Sequence, residues 1–277
     1  MDGLSESAKV MKYRDCQIQW LEQSRGLQLV TACDIVAGIG EAKHDILQVP
    51  IRQVVWSVVR TALLELLSVG AEPMQAVCLW GRSRQEAEMD MIPRLRKEFS
   101  LAGYEGVEIT GSSEDNLPTT ETALGLTLIG RRQVKGSQWD LPCQTWQVGD
   151  TLWLVGQPYV GQEVILHQEE IPDYEAWKVW QAYPLVKELI PLGSQGIAGK
   201  VTYVNQMITK LETSSFSDFS CMQLIIDKAV QSEPLYKASA GPATAFLAVT
   251  ASSFTGERFM TEKAHVLRKI GRLVERS

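Results

Sequence analysis

Thr31-Ala-Cys-Asp-Ile-Val-Ala-Gly-Ile-Gly-Glu-Ala-Lys-His-Asp45 is the stretch on which the reading of this chain turns. Leu27, Leu29 and Val30 run into it, and Asp34, Gly38, Gly40, Lys43 and Asp45 then follow in close order. Glycines let a backbone approach phosphate oxygens, carboxylates supply the hard oxygen ligands that Mg²⁺ prefers, and a lysine adds a point charge. The segment reads as a loop able to hold a metal-bound triphosphate. Aspartate is equally a turn former, so the loop draws its meaning from what surrounds it.

Next along the chain, Ile51, Val54, Val55, Val58, Val59, Ala62, Leu63, Leu66 and Leu67 repeat at helical spacing, with Pro50 before them and Gly70 after. That pattern predicts a helix over 51–69 with one buried stripe. Glu65 falls inside it, either as a ligand, or reaching past the edge of the stripe, or paired with Arg60. Trp56 reads as core. A strand is expected over 75–80, a helix over about 83–102, a strand ending at Thr110, a polar loop over 111–118 and a strand over 123–129. Residues 133–147 are polar and irregular, and Val148-Gly-Asp150 opens a strand over 151–155, which puts a domain boundary near 136. The domains are then 1–136 and 137–277. The second half reads as α+β, with helices over 174–189 and 201–211, an ambiguous segment over 224–230, and a strand over 243–250 after the turn Ser239-Ala-Gly-Pro242.

With 277 residues, 45% of them hydrophobic, the chain has enough apolar material for one large or two ordinary domains. A net charge of -6 argues against a nucleic-acid partner, which needs a basic surface. The basic run from Arg268 to Arg276 reads as a helix face or strand end. Cys16, Cys33, Cys78, Cys143 and Cys221 form no CxxC pair and read as reduced core thiols of a cytoplasmic protein. His44, His167 and His265 are isolated, which disfavours a histidine-based metal centre. The apolar run from Val54 to Val69 is interrupted by Arg60 and Glu65, so no membrane span is expected.

These pieces, in this order, resemble the superfamily of aminoimidazole ribonucleotide synthetase, thiamine-monophosphate kinase, selenophosphate synthetase and a carboxamide-dehydrating hydrogenase-maturation protein. Its first signature, an Asp, a Gly-rich segment and a second Asp, is matched by Asp34, Gly38, Gly40 and Asp45. The second, a helix ending in an Asn/Ser-Asp pair and then Gly-Ala-x-Pro, is met by Leu64-Glu65 and Gly70-Ala71-Glu72-Pro73, with Leu64 and Glu65 departing from the familiar pair and Glu65 standing where the family usually has Asp. The third, a Gly-Gly-(Asp/Glu)-Thr loop before a strand ending in Ile-Gly, is matched by Gly111-Ser112-Ser113-Glu114-Asp115-Asn116 and by Leu128-Ile129-Gly130. Ser112 and Ser113 depart from that pattern, and Glu114 or Asp115 stands in by a short shift.

The resemblance covers nearly the whole chain. It implies an α+β, two-domain fold whose N-terminal αβ domain pairs in a homodimer as a β-barrel, followed in the chain by a C-terminal αβ domain. It also implies ATP and Mg²⁺. Asp34, Asp45, Glu65 and Glu114 would hold the metal, Asp34 and Glu65 would act in catalysis, and Gly38, Gly40, Lys43, Asp45 and Gly111 would hold the nucleotide.

Thr110 to Thr119, Gly193-Ser-Gln-Gly-Ile197 and Ser239 to Thr244 further resemble the α-ribazole kinases of cobamide salvage, which phosphorylate the 5′-hydroxyl of a benzimidazole riboside. On that resemblance Asn116, Thr119, Ser194, Ser239 and Gly241 would meet the substrate; plain turn chemistry is the other reading of the last three. Glu121 and His44 stay outside the mechanism. The rivals are an ATP-dependent cyclising or dehydrating enzyme and a non-catalytic nucleotide-binding scaffold.

Overall fold

In a computed structural model of the chain, residues 10–135, 139–213, 222–260 and 266–276 are described. They form two compact units that divide between Asp140 and Leu141. The break falls there rather than at 136 because Arg132 donates to the carbonyls of Val69, Trp139 and Asp140, and Trp139 lies against Trp20 with ring centroids 5.4 Å apart. Cys221 and His265 lie outside the described residues.

The first unit opens with a hairpin of β1 (Val10–Tyr13) and β2 (Cys16–Glu22), in which Tyr13 pairs with Cys16 and Arg14 and Asp15 make the loop. There follow β3 (Leu27–Ala37), the short parallel pair β4 (Ile39–Gly40) and β5 (Leu47–Gln48), and α1 (Ile51–Ser68). After β6 (Glu72–Trp80) come α2 (Arg84–Glu86), a π-turn over Ala87–Met91 and α3 (Ile92–Leu101), then β7 (Glu108–Ser113) and β8 (Ala123–Gln133). The sheet order is β1-β2-β3-β8-β6-β7, antiparallel except between β6 and β7.

Alternation along the strands buries Val30, Ala32, Ala76, Cys78, Leu124, Leu126 and Leu128 on one face. Helix α1 lies against β3 and β8 on that face, and its Val55, Val58, Val59, Leu63 and Leu66 are fully buried. Each such side chain contributes about 1.5–3 kcal/mol on leaving water, so this contact fixes everything α1 carries. The helix starts with the Ile51 amide donating to Glu41 Oε1 at 3.1 Å. It stops at Gly70, in the left-handed region at φ 73°, where the Gly70 and Ala71 amides return to the Leu67 and Leu66 carbonyls.

The structure corrects three expectations in this unit. The strand holding Asp34 runs on to Ala37, because Ile35 and Val36 keep pairing with β8, so the loop begins only at Gly38. The helix over 83–102 is interrupted by the π-turn. Gly111 to Ser113 belong to a strand, since β7 stays paired with β6 as far as Trp80–Ser113.

The second unit holds β9 (Thr151–Val155), α4 (Gln162–Leu166), α5 (Tyr174–Gln181), β10 (Val186–Pro191) and α6 (Gly196–Thr213). It continues with β11 (Met222–Ile226), α7 (Lys228–Gln231), β12 (Phe246–Thr250) and β13 (Leu267–Glu275). Its antiparallel sheet runs β10-β12-β9-β13-β11. Every residue of β9 and β12 is buried, which explains their unbroken apolar runs. The helix expected over 174–189 ends at Gln181: Pro184 offers no amide donor and turns the preceding residue out of helical geometry, so the chain re-enters as β10. The basic C-terminal run is strand β13.

Candidate functional site

Asp34 sits near the end of β3 on the same face as Val30 and Ala32, and so looks toward α1 and Thr61, whose hydroxyl donates to the Ser57 carbonyl at 3.1 Å. Burial raises the carboxyl from its ordinary 3.8 to about 6. The charges of Glu65 and Asp15 push the same way, while the Ile35 amide and Thr61 hydroxyl pull it back. Perturbed carboxyls of this kind concentrate at functional sites.

Glu65, one turn beyond Thr61 and 6% exposed, faces Arg14 from the β1–β2 hairpin, with Arg14 Nη1 4.0 Å from Glu65 Oε2. Arg14 Nη2 also donates to Ser68 Oγ, whose hydroxyl donates to the Glu65 carbonyl, and the Cys16 thiol donates to the same carbonyl at 3.2 Å. Glu65 thus has an ion pair with Arg14. Arg60 lies over Trp56, 5.6 Å from the ring centroid, and Trp56 is half-buried rather than core.

The Gly38–Asp45 loop is tied to the chain just before β8. Asp45 Oδ1 accepts the Thr122 amide at 2.7 Å, and Oδ2 accepts the Ala42 amide at 2.8 Å and the Thr122 hydroxyl at 2.7 Å. Those bonds staple the Asp45 carboxylate into the loop. The Gly38 amide donates to the Thr122 carbonyl and is thereby withdrawn from phosphate.

Gly40, at φ 151°, packs so closely on Thr122 that a Cβ there would stand 2.5 Å from Thr122 Oγ1. Gly40→Ala is expected to cost about 1–3 kcal/mol, read as a lowered denaturant midpoint with an unchanged slope. Lys43 and His44 are exposed at the loop surface.

Gly111 also has a structural reason. A Cβ on it would fall 1.9 Å from the Cys78 carbonyl oxygen of the neighbouring strand. Glu114 closes its own turn, its Oε1 accepting the Asn116 amide at 2.7 Å and the Leu117 amide at 3.1 Å. Asp115 accepts the Arg84 amide at 2.7 Å. Thr119 donates to the Gly81 carbonyl at 2.6 Å, and Asn116 is exposed beside it.

In the second unit the turns carrying Ser194 and Ser239 abut, with the Ala240 amide donating to the Gly193 carbonyl at 3.1 Å. Gly241 follows in the same turn, before Pro242. The substrate candidates therefore form two groups, Asn116 with Thr119 in the first unit and Ser194, Ser239 and Gly241 in the second.

The four carboxylates expected on Mg²⁺ do not come together. Asp45 and Glu114 are committed to separate turns, Glu65 is paired with Arg14, and among the described residues no group of three or more His, Cys, Asp or Glu is placed to hold a metal ion. The charge of Glu65 does reach Asp34, as does that of Asp15, and the motifs indicated none of Arg14, Asp15 and Thr61. Thr61 lay open to view, four residues from Glu65 on one helix face. Arg14 and Asp15 did not, since their hairpin loop lacks the Asn-Gly or Asp-Gly signal that marks such turns.

The mixed α+β architecture that presents this site is the aminoimidazole ribonucleotide synthetase-like fold. The chain matches thiamine monophosphate kinase from Aquifex aeolicus with a TM-score of 0.56 and 13% identity, over 95% of this chain and 90% of that one. It matches thiamine-monophosphate kinase from Stenotrophomonas maltophilia with a TM-score of 0.50 and 14% identity, over 98% and 90%. Thermotoga maritima PurL complexed with AMPPCP matches with a TM-score of 0.51 and 12% identity, over 94% of this chain but 37% of that one. No family model matches the chain, and no curated protein does.

Proposed function

We propose that the protein is an ATP-dependent small-molecule kinase. Its donor is the Mg–ATP complex and its acceptor the 5′-hydroxyl of a small riboside, most specifically α-ribazole, which becomes α-ribazole 5′-phosphate. The observation that carries this reading is the Asp34 carboxyl, raised to about 6 beside Thr61 and Glu65 in a fold shared with two thiamine-monophosphate kinases. A carboxylate near neutrality suits proton acceptance at physiological pH. In the proposed step the acceptor hydroxyl gives its proton to Asp34 while its oxygen bonds the γ-phosphorus. The bond from that phosphorus to the β–γ bridging oxygen breaks, and ADP leaves.

A second reading is supported by the likeness to PurL: an ATP-dependent enzyme that phosphorylates an amide oxygen before cyclisation or dehydration. Incubation with Mg–ATP and α-ribazole, followed by mass spectrometry, tests the first reading through a product heavier by one phosphate. Turnover of an amide substrate with no such product would favour the second. ATP binding with no turnover of either would leave the scaffold reading.

A cytoplasmic homodimer belongs to the same proposal. Among the described residues no helix is long and apolar enough to cross a membrane, and Cys16, Cys33, Cys78 and Cys143 are not joined in disulfides. The sheet face turned away from α1 exposes Ile35 at 69% and Leu79 at 61%, flanking Gly125 in one row across three strands. Apolar side chains so exposed suit burial against a second copy. Ile35→Glu is expected to convert a dimer into a monomer in sedimentation velocity; an unchanged dimer would remove this face from the interface.

A further inference from the structure

Helix α1 starts without a side-chain cap of its own. Its N-cap is Pro50, which has no polar side chain to offer the first-turn amides. The Ile51 amide is met instead by Glu41 Oε1, reaching in from the preceding loop, and the Gln53 amide turns back to the Pro50 carbonyl at 2.8 Å. Among the described residues the Arg52 amide has no hydrogen-bond partner.

Two side chains of the same turn are also unmatched. Gln53 is 9% exposed, and its side-chain nitrogen has no hydrogen-bond partner among the described residues. A buried donor left in that state is costly, and methionine would fill the same space without the cost. A long helical side chain leans back toward the start of its helix, so Gln53, third in α1, carries its donor toward the first turn. Arg52 is exposed and forms no ion pair among the described residues, although a cation at this end opposes the helix dipole. Packing and stability explain neither residue.

We infer that the first turn of α1 is a seat for a phosphoryl group. Its donors are the Ile51 and Arg52 amides, the Gln53 side-chain nitrogen and the Arg52 guanidinium. The Glu41 carboxylate shows that this point accepts an anionic oxygen. Glu41 is exposed and holds the Ile51 amide through one oxygen, so a group with three oxygens and more charge displaces it. The Gly38 amide, bonded to the Thr122 carbonyl, does not compete for the same group. Naming ATP as the source of that group rests on the kinase reading; the seat itself does not.

Calorimetric titration of the full chain with inorganic pyrophosphate, ATP and ribose 5-phosphate, all without metal, tests it. Pyrophosphate should bind, and Gln53→Met and Arg52→Gln should each weaken it by about tenfold. Gln53→Met should melt no lower than the wild type, because no internal hydrogen bond is lost. Glu41→Gln removes the competing charge and should tighten pyrophosphate by about threefold or more. ATP binding above pyrophosphate assigns the seat to the nucleotide, and ribose 5-phosphate binding above both assigns it to a phosphorylated sugar.

Binding of none of the three, or binding that ignores all three substitutions, would overturn the seat. Kinase activity surviving that result would leave the kinase reading standing, whereas a functioning seat with no phosphorylated product would remove that reading alone. Should Gln53→Met fail to fold, Arg52→Gln and Glu41→Gln, both at exposed positions, decide between these outcomes.

Discussion

Asp45→Ala will destabilise the first unit by about 3–5 kcal/mol, a large share of the 5–15 kcal/mol that holds a typical domain folded. The Asp45 carboxylate is 7% exposed and accepts two backbone amides and one hydroxyl. Removing it strands the Ala42 and Thr122 amides, and Thr122 is fully buried, so water does not replace the lost acceptor. An orphaned buried donor costs about 1–3 kcal/mol, and a bond to a charged acceptor lies at the upper end of the hydrogen-bond range. The loss will be local before it is global. The ladder between β3 and β8 does not depend on Asp45, whereas the loop's remaining ties to Thr120 and Thr122 do not survive its release. Hydrogen exchange should show early opening at the Ala42, His44 and Thr122 amides. Asp45→Asn, which keeps one acceptor oxygen, should lose about half as much. Were Asp45 a metal ligand instead, Asp45→Ala would weaken Mn²⁺ binding and leave these amides protected.

The same residue shows which parts of this protein can be read from its sequence. Local periodicity suffices where an element's own residues decide it. Helix α1 carries its stripe, its proline start and its glycine stop within twenty residues of chain, and it lies within a residue of the expected bounds. Strand β8 alternates cleanly and starts where expected at Ala123, but pairing with β3 carries it on to Gln133, four residues past the expected end. What failed was the meaning of residues whose partners lie far along the chain. Asp45 and Thr122 are 77 positions apart, and no local pattern says that an aspartate after two glycines will bond there rather than to a metal. The glycines also drew the loop too far forward, although Ile35 and Val36 continue a strand that only the pairing with β8 reveals. In the second unit the helical spacing of Tyr174, Trp177 and Trp180 hid the stop that Pro184 imposes. The coupling of Asp34 with the charge of Glu65 was legible through the order of the motifs. Arg14 was not, because a buried arginine in a tight turn breaks the rules by which turns and cores are recognised.

Asp34→Asn should separate activity from stability. With the carboxyl at about 6 in the folded protein and 3.8 in the unfolded chain, folding penalises the charged form. The sign follows from proton binding. Below 3.8 both states hold the proton and there is no penalty. Between 3.8 and 6 the folded state binds more protons than the unfolded one, so stability falls as pH rises, and above 6 the penalty is fully present. The shift corresponds to about 2–3 kcal/mol. Asparagine has nearly the same shape and carries no such charge, so the variant should be more stable than the wild type by about that amount at pH 8. The advantage should shrink toward nothing near pH 4. Equal differences at both pH values would mean that the charge on Asp34 is not what the fold resists. Under the kinase reading the variant loses its proton acceptor, and phosphoryl transfer should fall by about 10²–10⁴-fold. The wild-type rate should itself decline as pH drops through 6, and the residual rate of the variant should not. A carboxylate that makes the protein less stable at the pH where it works is what a site retained for chemistry predicts. A structural carboxylate such as Asp45 predicts the reverse, and thermal melts of the two variants at pH 8 should move in opposite directions.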